Sequence, residues 1–282
     1  MTYKSIDLNQ EFESKEEMIK AVFEKKDDII SFKKSIVYKS VEKGQLSAGL
    51  FNQTTSKGIS VKDGFIRPVI NTTNFLDSHL DNHVKGIFVK SAKEQNGKIR
   101  YSLDHSTKIA DVIAYPKDVE ISVIDTTFKQ LGYDYDTYTQ ALVFDIAKTA
   151  IENDTALKVI DKQLPVQNSV TMQYVQISLA INSKEKDYAE EFKIWNKHYP
   201  KLANKEMADK MGMMWIVSEA KIVNESSMVT QGSNSATPIL YTKSEPSMID
   251  LIKGIGTQKK AADSTFNIIS EIQKYNFNLN KV

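Results

Sequence analysis

The chain has 282 residues, enough for a sizeable hydrophobic core in one large domain or two modest ones. Hydrophobic residues make up 41% and charged residues 26%, and the formal net charge of +1 gives no bulk attraction toward nucleic acid or a membrane. Cysteine is absent, which excludes a disulfide framework, a thiolate nucleophile and a zinc–thiolate site. No apolar signal core or membrane-length apolar run is present, so we expect a soluble protein made in a cytoplasm.

Residues 1–34 are predicted to form an amphipathic helical segment. Within 11–30, apolar residues fall on one helical face at Phe12, Ile19, Val22, Phe23, Ile29 and Ile30. Such a face needs an apolar surface, so the segment docks on the body of the protein or on a partner. A solvated helix at the edge of a single globule fits the same pattern.

Residues 35–240 are predicted to form the main domain, and its strands are recognised by alternating or continuous apolar runs between turn signals. The predicted strands are 35–41, 65–70, 98–103, 119–124, 141–146, 166–182 and 215–234. The pattern also predicts a loop at 43–60, a helix at 147–162, a polar helical insert at 184–210 that Pro200 splits, and a helical tail at 241–282. The predicted class is α+β, with a mostly antiparallel sheet or barrel and peripheral helices.

Candidate catalytic residues lie on or just after three of these strands. Ser169 is at the start of 166–182, and His105 follows 98–103 where the chain turns. Glu219 and Glu225 lie on or beside the strand at 215–234. Taken singly, each residue fits an ordinary surface or strand position, since a serine hydroxyl is inert without a base. Together, a serine, a histidine and a carboxylate can supply a nucleophile, a base and an orienting acid.

His79 and His83 suggest a different chemistry, because two histidines four residues apart on a helix suit a metal ion. However, residues 71–85 lack a helical pattern, and no glutamate follows His79 as in a zincin motif. A metal-dependent hydrolase that uses His79, His83 and His105 is therefore the least favoured alternative. The lysines are dispersed among acidic residues, which argues against a nucleic-acid-binding stripe.

Four short segments, taken in order and spacing over roughly 60–240, resemble the prohead, or capsid-maturation, proteases of tailed phages, the counterparts of herpesvirus assemblin. The segments are an Asp-rich stretch that ends in Gly-x-Phe (74–88), a strand end with Asp-His (103–105), Asn-Ser-Val-Thr-Met-Gln-Tyr (168–174) and Glu-Ser-Ser-Met-Val-Thr-Gln-Gly-Ser-Asn (225–234). The resemblance implies an assemblin-like fold and a serine protease mechanism.

By this resemblance Ser169 is the nucleophile and His105 its base. Glu219 and Glu225 both match acidic positions of the family, and Glu219 is preferred because it lies within the better strand. The family usually has glycine where this chain has Thr171, so we expect the threonine to narrow the site or to indicate lost activity. The insert at 184–210 also separates the serine from the acid more widely than in compact family members.

The implied function is that of a serine endopeptidase that cleaves scaffolding and major capsid proteins inside the prohead, in the host cytoplasm. No cofactor, nucleic acid or membrane is implied, and a homo-oligomer is compatible with the resemblance. The alternative is a protease-fold structural protein of the virion that has lost catalysis and acts as a docking or assembly component. Thr171 is the residue that favours this alternative.

Overall fold

The computed structural model describes residues 2–39 and 59–242, and in this part of the chain it shows a mixed α+β fold. The strands are β1 (Tyr3–Ser5), β2 (Gln10–Phe12), β3 (Tyr38–Lys39), β4 (Phe65–Thr72), β5 (Asp81–His83), β6 (Arg100–Leu103), β7 (Val112–Ala114), β8 (Glu120–Thr127), β9 (Tyr138–Ala147), β10 (Gln167–Ile181), β11 (Met213–Val229) and β12 (Ile239–Tyr241). The α-helices are α1 (Lys15–Glu24), α2 (Lys26–Ser35), α3 (Val89–Gln95), α4 (Asp154–Asp161), α5 (Ala189–His198) and α6 (Glu206–Met211). The predicted α+β class is confirmed.

The strands form three sheets. The largest has the order β3-β10-β11-β6-β7, with β5 beside β11, and a second has the order β12-β4-β9-β8. Strands β1 and β2 pair with each other. Most neighbours are antiparallel, as predicted, but β5 and β6 run parallel to β11. None of these sheets closes into a barrel within residues 2–39 and 59–242.

The two longest strands, β10 and β11, form the centre of the largest sheet and carry most of the candidate residues. They pair antiparallel from Gln167↔Val229 to Ile181↔Met213. Fully buried side chains such as Met172, Leu179, Trp215 and Val217 join this pair to the main hydrophobic core. A strand that is buried on both faces reads as a long apolar run, which explains why the sequence alone identified both strands.

Several predicted elements are found with shifted ends. Predicted strands at 65–70, 98–103, 119–124 and 141–146 correspond to β4, β6, β8 and β9. Helix α4 is shorter than the predicted 147–162, because the Asn153 side chain accepts a hydrogen bond from Ala156 N–H at 2.9 Å and caps the helix there. In the insert, a 3₁₀ turn at Tyr199–Lys201 lies between α5 and α6, so Pro200 splits it as predicted.

The strand predicted at 35–41 is wrong in part. Helix α2 continues to Ser35, and only Tyr38–Lys39 then pairs with β10. The loop at 43–60 lies almost wholly outside the described residues, as does the helical tail at 241–282 beyond Thr242. In the described part of the chain, no helix is long and apolar enough to cross a bilayer.

The prediction of a helical segment at 1–34 is wrong in its first part, where the paired strands β1 and β2 lie, and the helices α1 and α2 follow and meet at Lys25. Their apolar face belongs to the main core, where Met18, Val22 and Ile29 are buried. Between the two outcomes left open by the sequence, docking on the protein's own body is therefore the one observed for these side chains. The burial also removes a large apolar face from water, which stabilises the fold.

A buried ion pair reinforces this docking. Lys33 of α2 is 4% exposed, and its Nζ lies 2.7 Å from Asp81 Oδ1 and 3.3 Å from Asp7 Oδ1. The Tyr174 hydroxyl of β10 donates to the other Asp81 oxygen at 2.8 Å. Burial lowers the pKa of Lys33, but the attraction of Asp81 and Asp7 outweighs it and leaves the pKa raised, so the amine stays charged. This contact joins the N-terminal segment to β5 and β10.

Candidate active site

One face of the β10–β11 pair supplies four polar side chains at one place. Ser169 of β10 is the register partner of Ser227 of β11. Because side chains alternate along a strand, Thr171 shares the face of Ser169, and Glu225 shares the face of Ser227. All four are buried. Adjacent strands lie about 5 Å apart, so these side chains are within reach of one another.

His105 reaches this face by a sharp reversal of the chain after β6. Strand β6 runs parallel to β11, with Leu103 opposite Met228. Asp104 and His105 then adopt left-handed backbone conformations, with φ of 47° and 53°. Asp104 N–H donates to the Met228 carbonyl at 2.9 Å, which fixes the start of the turn. Two consecutive non-glycine residues at positive φ cost conformational energy, and such strain concentrates at functional sites.

The histidine ring bridges the serine and a carboxylate. His105 Nε2 lies 2.8 Å from Ser169 Oγ, and His105 Nδ1 lies 2.8 Å from Glu225 Oε1. An ionised carboxylate can only accept, so Nδ1 carries the proton and Nε2 presents its lone pair to the serine hydroxyl. This is the tautomer that a general base needs to activate a serine nucleophile.

Hydroxyl groups surround the carboxylate of Glu225. The Thr171 hydroxyl donates to Oε1 at 2.5 Å, and the Ser227 hydroxyl donates to Oε2 at 2.7 Å. Burial raises the pKa of Glu225, but the hydrogen bonds and charge of His105, together with the bonds from Thr171 and Ser227, outweigh it and leave the pKa lowered. The carboxylate is therefore ionised at neutral pH and can stabilise a protonated His105.

Strand β11 is irregular next to Glu225. On β10, Thr171 alone lies between two regular register pairs, whereas Val223, Asn224 and Glu225 lie between the corresponding pairs on β11. Asn224 has a φ of 59°, a left-handed conformation that asparagine tolerates better than most residues. The irregularity bends the strand next to Glu225, whereas the regular pairs Ser169↔Ser227 and Val170↔Ser226 already place Glu225 beside Thr171.

Glu219 lies before this irregularity and is not part of the site. Its side chain is 25% exposed, and it contacts Lys90 Nζ at 3.4 Å and Gln176 Nε2 at 3.0 Å. The preference for Glu219 as the acid beside His105 is therefore wrong, and Glu225 occupies that position. Local strand quality was a poor guide, because Glu219 is the register partner of Gln176, about 17 Å along β10 from Thr171 at the usual rise of a strand.

Two further residues were undervalued in the sequence. The resemblance gives Ser227 no role of its own in the 225–234 segment, and it led us to expect that Thr171 harms the site. Asn168, next to the serine, anchors the start of β10, since its Nδ2 donates to the Thr237 carbonyl at 2.9 Å and its Oδ1 accepts from the Tyr101 hydroxyl. The signal that could have found this network is the group of hydroxyl and amide residues, Asn168, Ser169 and Thr171 on β10 and Ser226 and Ser227 on β11, within two buried strands.

The metal alternative does not match the positions of the other histidines. His83 lies on strand β5, where its ring contacts Asn71 at 2.9 Å and the Tyr174 hydroxyl at 3.4 Å. His79 lies in the preceding loop and contacts Asp77 at 3.8 Å. Among residues 2–39 and 59–242, no three histidine, aspartate or glutamate side chains are arranged to hold a metal ion.

The assembled residues have the parts needed for nucleophilic catalysis: a hydroxyl, a base with the right tautomer and an ionised carboxylate in a buried setting. A low local dielectric strengthens the attraction between Glu225 and a protonated His105. No family of proteins, no curated protein and no solved structure was found to match this chain.

Proposed function

We propose that this protein is a serine endopeptidase of phage capsid assembly, with Ser169, His105 and Glu225 as its catalytic triad and an assemblin-like protease fold. The observation that carries the proposal is the continuous contact from Ser169 Oγ through the His105 ring to Glu225 Oε1, with both distances at 2.8 Å. Such a chain of contacts is recognised by its geometry and is found on unrelated folds.

The capsid-assembly part of the proposal rests on the resemblance to prohead proteases. Three of the four segments that carry it, 103–105, 168–174 and 225–234, contain the three residues that meet in space. Residues separated by 120 positions in the chain, such as His105 and Glu225, have no local reason to meet. The coincidence supports the use of the resemblance for the substrates, which would be scaffolding and major capsid proteins inside the prohead.

The geometry supports a two-step acyl transfer. Ser169 Oγ attacks the scissile carbonyl carbon while His105 Nε2 takes the hydroxyl proton, and Glu225 stabilises the charged imidazole. The proton then passes to the leaving amine as the C–N bond breaks, which leaves an acyl-serine. Water attacks this ester, again giving its proton to His105, and the proton returns to Ser169 as the carboxylic acid product leaves. No cofactor takes part in this scheme.

A fluorophosphonate probe tests the nucleophile without knowledge of the substrate. We expect the purified protein to be labelled on Ser169, and Ser169→Ala and His105→Ala each to remove labelling, because the triad acts as a unit. Ser178→Ala is a matched control, since this serine lies on the same strand, opposite Ile216, and away from the histidine. Labelling that persists in Ser169→Ala contradicts the proposal.

Co-expression with scaffolding and capsid proteins tests the substrate class. Processing by the wild-type protein, and none by Ser169→Ala, is the expected result. Unchanged scaffold in the presence of a protein that reacts with the probe would limit the proposal to a serine hydrolase with other substrates.

A structural role in the virion is the second candidate, and the burial of the site favours it. Ser169 is 2% exposed and Glu225 is equally buried, so a substrate reaches the serine only if the site opens. A protein that is not labelled, yet is incorporated into assembling heads, would support the docking role and contradict the protease.

A further inference from the structure

We infer that Thr171 and Ser227 are positioning residues of this active site, which hold the Glu225 carboxylate and the His105 backbone in the catalytic arrangement. The inference rests on the proposed function, because it assigns roles within the same site. Neither residue contacts a reacting atom in the scheme above. Each acts through the glutamate or the histidine.

The Thr171 hydroxyl contacts both members of the base–acid pair. It donates to Glu225 Oε1 at 2.5 Å, and its oxygen lies 3.0 Å from His105 Nδ1. The Nδ1 proton is thus shared between a carboxylate oxygen and a hydroxyl oxygen that is itself bound to that carboxylate. This triangle fixes the rotation of the imidazole ring as well as its tautomer, since a rotated ring would lose both contacts.

Ser227 connects the glutamate to the backbone of the histidine. Its hydroxyl donates to Glu225 Oε2 at 2.7 Å and accepts from the backbone N–H of His105 at 3.0 Å. The second bond holds the left-handed residue at φ 53°, a conformation that persists only when its surroundings fix it. Ser227 therefore fixes both the orientation of the Glu225 carboxylate and the backbone turn at His105.

Each carboxylate oxygen consequently receives its own hydroxyl donor, and the bonds to an ionised group are the strong kind. Thr171 also occupies the position where the resembled family usually has glycine. A glycine there has no hydroxyl to offer, so this chain fixes its acid by a contact that its suggested relatives cannot make. The threonine at position 171 is then a functional part of the site.

The neighbouring Ser226 provides a control within the same strand. It is also fully buried, but it points to the opposite face, and its hydroxyl has no hydrogen-bond partner in the structure. Ser226→Ala removes a serine hydroxyl one position before Ser227 and leaves the hydrogen bonds to the Glu225 carboxylate intact. Thr171→Val and Thr171→Ser form a second matched pair, because one removes the hydroxyl at nearly constant shape and the other keeps it.

The experiment measures the second-order rate constant for labelling by a fluorophosphonate, across pH from about 5 to 9, where histidine and carboxylate groups change charge. We expect Thr171→Val and Ser227→Ala to react about 10- to 100-fold more slowly, as fits the loss of a hydrogen bond to a charged group. Thr171→Ser and Ser226→Ala should stay within about threefold of wild type, because neither removes a hydrogen bond to the Glu225 carboxylate. The slow variants should lose further rate at the acid end, since both bonds lower the Glu225 pKa.

Nitrogen-15 NMR of the imidazole supplies a readout that a merely structural role would not move. Wild type should show His105 protonated at Nδ1, and Thr171→Val should show mixed tautomers. Equal labelling rates, pH profiles and imidazole shifts in all four variants and wild type would overturn the inference. Failure of the proposed function is distinct, because it appears as an unlabelled wild-type protein, in which the imidazole shifts still test the positioning. If Ser227→Ala does not fold, the Thr171 pair decides the result.

Discussion

Ser169 and Ser227 stand directly opposite each other across β10 and β11, and the two serines have different tasks on the same face. Ser169 contacts Nε2 of His105, whereas Ser227 binds the Glu225 carboxylate and the His105 backbone. The register of one antiparallel pair therefore sets the distance between the Ser169 hydroxyl and the Glu225 carboxylate. A register slip would move every one of these side chains to the other face.

The two glutamates should separate clearly when each is changed to glutamine. Glu225→Gln replaces a carboxylate by an amide that can donate to His105 Nδ1. The imidazole proton then moves to Nε2, so His105 can no longer accept the Ser169 proton, and labelling of Ser169 is expected to be about 10⁴-fold slower. Glu219→Gln should leave the rate unchanged, because its partners are the partly exposed Lys90 and Gln176. Loss of activity in Glu219→Gln alone would reverse this assignment.

Thr171→Gly should lower activity, although the resemblance led us to expect that the threonine narrows the site. The change removes the hydroxyl bonded to Glu225 and adds chain entropy, so we expect at least a tenfold slower labelling and about 1–3 kcal/mol less stability. Thr139→Gly is the control. Thr139 is a buried threonine of β9, in a different sheet from Thr171, and its hydroxyl donates to the Thr73 carbonyl. Thr139→Gly should lower the free energy of unfolding without changing the rate of labelling. A faster Thr171→Gly would show that the threonine obstructs the site.

Lys33→Met should destabilise the fold by about 3–5 kcal/mol, measured by urea unfolding, because it leaves Asp81 and Asp7 buried without their cation. Lys34→Met is the matched control. This neighbouring lysine is exposed, and its replacement should change the free energy of unfolding by less than about 0.5 kcal/mol. Similar values for the two variants would mean that the buried pair contributes nothing beyond an exposed lysine.

His79 should make the free energy of unfolding decrease as the pH rises above neutrality. The Asp77 carboxylate, 3.8 Å from the ring nitrogen of His79, is the main reason that the pKa of His79 is raised from 6.5 to about 9. A raised pKa favours the folded state below pH 6.5, and this contribution, roughly 1–3 kcal/mol, is lost as pH rises through about 9.

His79→Gln should therefore flatten the curve of unfolding free energy against pH between 6.5 and 9. His198→Gln serves as the control, because burial lowers the pKa of His198 to about 4, so its contribution to stability changes mainly between about pH 4 and 6.5 and is nearly constant above that range. A wild-type curve that is already flat over the interval would contradict the prediction.

Local patterns were enough to predict the main strands of the fold. Alternating and continuous apolar residues in 166–182 and 215–234 predicted β10 and β11, because side-chain direction along a strand has a period of two wherever the strand lies. The same reasoning placed Ser169 near the start of a strand and His105 just after one. Pro200 predicted the break between α5 and α6, since proline removes a helix hydrogen bond regardless of its surroundings.

The tertiary structure decided which charged residues are inside and which acid faces the base. Lys33 reads as the polar side of an amphipathic helix, yet Asp7 and Asp81 approach it from distant parts of the chain and bury it. Glu225 faces His105, and Glu219 does not, because the β10–β11 register places Glu225 beside Thr171 and Glu219 opposite Gln176. Contacts between segments far apart in sequence set both outcomes, and no window of local sequence contains the partner that decides them.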